Sequence, residues 1–77
     1  MMDRKDAVIR AIRAAMARAG LYSAADLAEE SGIALHRVAR WLAQGKGQLS
    51  ILDRMGATMG TSSAEILAEA DRIQRAG

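Results

Sequence analysis

Arg37, Arg40 and Gln44 stand three and four residues apart, so on a helix they fall along one stripe, with His36 beside it and Lys46 and Gln48 just beyond. The chemistry available to such a set is recognition. Arginine carries a planar fork of donors that stays charged, lysine a mobile point charge, and glutamine a side chain that both donates and accepts. Covalent chemistry has no comparable support: the chain has no cysteine, a single histidine, no phosphate-cradling glycine loop of the P-loop type, and serines that sit where helix caps are expected. We therefore expect no enzyme. With His36 the only histidine and no thiolate, neither a metal site nor a cofactor is expected.

The elements that hold these residues must be helices. Proline is absent, β-branched and aromatic residues are few, and alanine, leucine, glutamate and arginine abound, so no sheet is expected. Seventy-seven residues make one small domain, and 17 of the apolar residues are alanine, which suits short helices packed closely. No apolar run approaches the ~20 residues that span a bilayer, and Arg10, Arg13 and Arg18 interrupt the first apolar stripe, so neither a membrane span nor a secretory segment is expected. The net charge of +2 is uneven. Residues 1-46 hold eight Lys/Arg against five Asp/Glu, and residues 47-77 hold three against four, which hints at an anionic partner for the first part.

Along the chain, Val8, Ile9, Ile12, Ala15, Met16 and Ala19 predict a first helix over roughly 4-19, stopped by Gly20. Ser23, with Asp26 at the capping-box position, opens a second over 24-30, with Leu27 and Ala28 inward. A third begins near Leu35, turns Val38, Trp41 and Leu42 inward, leaves His36, Arg37, Ala39, Arg40 and Gln44 outward, and ends before Gly45-Lys46-Gly47. Ser50 to Asp53 reads as a further capping box, opening a helix that Gly60 stops. Ser62 to Glu65 repeats the device for a last helix over about 63-75, with Ile66, Leu67, Ala70 and Ile73 on one face and an Asp71/Arg75 pair on the other.

Between the second and third patterns Gly32 interrupts what would otherwise merge. In a helix-turn-helix the first helix must stop abruptly and the chain must pass through a left-handed conformation, which glycine adopts most cheaply. The close crossing also needs a small residue in the first helix and apolar residues around the turn. Ala28, Leu27, Ile33, Val38 and Trp41 supply them at the required spacing.

On these residues the chain resembles the lambda repressor and Cro type of helix-turn-helix, the XRE family. "IRAIRAAMARAG" looks like that family's first helix, "SILDRMGATMG" like its fourth and "TSSAEILAEA" like the start of its fifth, so the likeness covers roughly residues 8-70. It implies an all-α, five-helix lambda-repressor-like DNA-binding domain filling residues 1-77, with the motif at about 23-44. It implies also a cytoplasmic, sequence-specific regulator of transcription that binds double-stranded DNA, most simply a dimeric repressor of the phage or prophage Cro-like kind. Other readings are an antitoxin-like autorepressor that also binds a toxin, or a module on the same fold that binds another regulator instead of DNA.

The chain departs from the family at Ala24 and at Ala34-Leu35, where amides or hydroxyls are usual, and at Tyr22, which looks like an insertion. Base reading must then come from Arg37 and Arg40, whose forks suit guanine O6 and N7, helped by His36 and Gln44. His36 is equally a solvated residue. Leu35 either packs under the fourth helix, the reading we favour, or touches a thymine methyl. Phosphate contacts are expected from Ser23, Lys46 and Gln48, with Ser31 a further candidate and Arg10, Arg13, Arg18 and Arg54 adding long-range attraction. So small a chain without disulfides is expected to be a homodimer, paired through Ile66, Ala70 and Ile73.

Overall fold

A computed structural model describes residues 2–76, and among them there are five helices and no strand. They are α1 (Arg4–Arg18), α2 (Ala24–Ser31), α3 (Leu35–Gln44), α4 (Leu49–Thr58) and α5 (Ser63–Ala76). Among the described residues no helix is long and apolar enough to cross a membrane.

The core is built around α1. Its buried stripe is Ala7, Val8, Ala11, Ile12, Ala15 and Met16. Ile9 is only half-buried, and Ala19, expected inside, is exposed as the C-cap where the packed length of the helix ends. The alanines let α5 approach closely, and α1 with α5 is the most extensive helix pair. The two are antiparallel: Arg4 at the start of α1 forms an ion pair with Asp71 near the end of α5, and Arg18 at its end shares a groove with Thr61 and Glu65. The expected Asp71/Arg75 pair is thus replaced by one between helices, because packing brings Arg4 to Asp71. Arg72 bonds Glu69 on the same outer surface of α5.

This packing places much of the face expected to pair two chains inside one chain. Ile66 (2% exposed) and Ala70 (0%) are buried within the chain, while Ile73 is half-buried against the same core. The face was expected to outrun its partner, but α1 starts early enough to cover all but its end.

Leu27, Ile33, Val38, Trp41, Leu42, Ile51, Leu52, Met55 and Met59 complete the core from α2, α3 and α4. Ser23 caps α2 by accepting from the Asp26 N–H, whereas the Asp26 carboxylate accepts from the Tyr22 N–H, one residue earlier than a capping box requires. Ser62 caps α5, accepting from the Glu65 N–H, but the box is not completed, because the Glu65 carboxylate accepts from the Thr61 hydroxyl. The Ser50 box does not form. Gln48 is the N-cap of α4, Ser50 lies in its first turn, and the Asp53 carboxylate accepts instead from the Ser63 hydroxyl, tying α4 to α5.

Candidate nucleic-acid interface

The turn that presents α3 is set by Gly32, whose φ of 72° is left-handed and whose N–H closes α2 on the Ala28 carbonyl. Around it, the Ser31 hydroxyl accepts from the Ile33 N–H, and Arg54 reaches from α4 to donate to the Ser31 carbonyl at 3.2 Å. Ser31, a candidate phosphate ligand in the sequence, is thereby committed to the turn. Arg54, expected only to add distant charge, spans α4 and the turn. Half-buried Ala28 packs against a core that includes buried Leu27, Ile33, Val38 and Trp41.

With Val38, Trp41 and Leu42 inward, the opposite side of α3 exposes His36, Arg37, Arg40, Ala43 and Gln44. Ala39, expected to be exposed, is half-buried. The far end of α3 is held by two contacts. Gly45 is left-handed (φ 64°), and a Cβ there would lie 2.7 Å from the Lys5 carbonyl, so the start of α1 abuts the end of α3 with no room for a side chain. Trp41, 5% exposed, donates its indole Nε1–H to the Gln48 carbonyl at 3.3 Å, a reach that the bare Gly47 backbone permits. The same carbonyl receives the first helical bonds of α4. The 45-48 loop is therefore tied to the core at both ends, and Lys46 and Gln48 are carried on a fixed backbone.

These constraints produce an open groove of about 510 Å³ lined by His36, Arg37, Arg40, Trp41, Lys46, Gly47, Gln48 and Ile51. Two guanidinium groups, an ammonium and an imidazole share it, and among the described residues no Asp or Glu lines it. Five of the expected contact residues thus converge: His36, Arg37, Arg40, Lys46 and Gln48. Two do not. Gln44 is exposed near the end of α3 but outside the groove lining, and Ser23 lies at the start of α2 with its hydroxyl engaged in the cap.

The groove can do one kind of chemistry well. Its walls offer forked and single N–H donors to a ligand dense in acceptors and negative charge, its floor is the buried indole edge, and its open shape admits a surface or strand end. Sequence reasoning missed Lys5, exposed and adjacent to Gly45, because nothing local links the start of the chain to residue 45. In comparisons with protein-family models, with curated proteins and with solved structures, nothing matches this chain.

Proposed function

We propose that this chain is a sequence-specific, duplex-DNA-binding regulator of the lambda repressor and Cro type, working in the cytoplasm, with α3 as the helix that enters the major groove. The observation that carries the reading is the convergence of Arg37, Arg40, Lys46, His36 and Gln48 on one acid-free groove. Five helices in this order, with α2 and α3 joined through a left-handed Gly32, support the helix-turn-helix reading of the fold. Arg37 and Arg40 read guanine edges, and Lys46 and Gln48 follow the phosphate backbone. No such division of labour is needed to bind a simple anion.

The exposure of Leu35, Leu49 and Tyr22 (51%, 56% and 77%) favours a second reading, a protein-interaction module on the same fold. A mobility shift on duplex from the region upstream of the coding sequence, repeated at rising salt, separates the two. The DNA reading expects a discrete complex that weakens steeply as salt displaces the protein from phosphate. A chain that shifts no duplex at low salt leaves the protein-binding reading in its place.

A further inference from the structure

The start of α3 breaks two local rules at once. Its N-cap is Ala34, which offers no side-chain bond to the free N–H groups of the first turn, although a serine, threonine or aspartate there would stabilise the helix. Its first helical residue, Leu35, is 51% exposed, while the adjoining groove is polar and cationic. Packing under α4, the role expected for Leu35, is not what the structure shows. Exposed positions that forgo stability without an internal compensation are where function is sought. Leu35 adjoins His36, which lines the groove, and stands five residues before Arg40. Half-buried Ala39 follows it one turn on, so small apolar surface continues along that flank of the helix.

We propose that Leu35 is a specificity-determining residue that packs on the C5-methyl group of a thymine. The proposal rests on the duplex-DNA reading of the groove. In the major groove the thymine methyl is the apolar feature among acceptors and donors, so it is the group an aliphatic side chain beside an arginine stripe selects. The cationic lining supplies charge complementarity to a DNA backbone, and the N-terminal residues of a helix in the major groove are those that meet base edges. Five residues of helix advance about 7.5 Å, roughly two base-pair steps, so the thymine falls within about two base pairs of the guanine read by Arg40.

The test starts with the intact chain and a random duplex pool. After the preferred site is selected, each thymine in it is replaced in turn by deoxyuridine, which removes only the methyl, and binding is followed by fluorescence anisotropy. Wild type should lose about fourfold in affinity at one thymine, the effect of returning one methyl's surface to water. Leu35→Ala should bind the thymine and deoxyuridine duplexes alike. Enrichment of a site with no deoxyuridine effect anywhere, or an effect that persists in Leu35→Ala, overturns the contact and leaves the DNA reading standing. A wild type that enriches no sequence overturns both.

Discussion

Replacing Gly45 with alanine is expected to cost far more than the same change at Gly32, although both are left-handed at the ends of helices. At Gly32 the added Cβ meets only the end of the Arg54 side chain at 3.8 Å, an ordinary contact, so the penalty is that of a non-glycine residue at φ 72°, about 1–2 kcal/mol. Gly45 bears the same penalty at φ 64°, and its Cβ would also sit 2.7 Å from the Lys5 carbonyl and 3.1 Å from the Lys5 Cα, backbone atoms that no rotamer change can move. Relieving that overlap means shifting the start of α1 against the end of α3, for which overpacking of a tight contact suggests a further ~1–3 kcal/mol. A domain of this size holds only about 4–12 kcal/mol in total, and each kcal/mol moves its melting temperature by about 4–8 °C. Thermal and urea unfolding followed by far-ultraviolet circular dichroism measures both variants. Equal losses at the two positions would refute the argument, because α1 would then not be seated against Gly45. Since Gly45 also anchors the 45-48 loop, Gly45→Ala should weaken duplex binding at a temperature where it remains folded.

Arg40→Ala should weaken binding to the selected site by about 1–3 kcal/mol and relax preference at one base pair, as loss of a forked contact to guanine would; unchanged specificity would remove α3 as the reader. Lys46→Ala should weaken specific and random duplexes alike and reduce the salt slope by about 0.9, which titration of affinity against salt reads directly. Arg54→Ala should cost about 0.5–1.5 kcal/mol by releasing the Ser31 carbonyl, and a wild-type melting temperature would show that the turn does not use it. With Ile66 and Ala70 buried within the chain and Ile73 half-buried against the same core, any self-association seen by sedimentation at micromolar concentration should survive Ile73→Asp; its loss in that variant would show that this face pairs two chains.

What could be read from the sequence was decided by residues close together in the chain. Gly32 ends α2 with its N–H and the Ser31 hydroxyl both donating to the Ala28 carbonyl and the Ile33 N–H donating to the Ser31 hydroxyl oxygen, all within a few positions, and the caps at Ser23 and Ser62 are equally local. The stripe of Arg37 and Arg40 followed from helical period once Val38, Trp41 and Leu42 had to face inward. What could not be read depends on distant partners. The start of α4 at Leu49 is fixed by Trp41 holding the Gln48 carbonyl, which outweighs the capping preference of Ser50. Asp71 pairs with Arg4 across 67 positions of sequence, and the seat of Gly45 on Lys5 has no local signature. The face of α5 looked available for a second copy for the same reason: its partner, α1, lies at the other end of the chain.

The central claim is that the groove formed by α3 and the 45-48 loop meets duplex DNA, and mapping of backbone amides by nuclear magnetic resonance tests it most directly. Adding a duplex carrying the selected site to isotopically labelled chain should shift the amides of residues 34-48 and the adjoining Lys5, and leave those of α5 from Ala64 to Arg75 in place. Shifts centred on the outer surface of α5, or none at concentrations where a complex should form, would contradict the account.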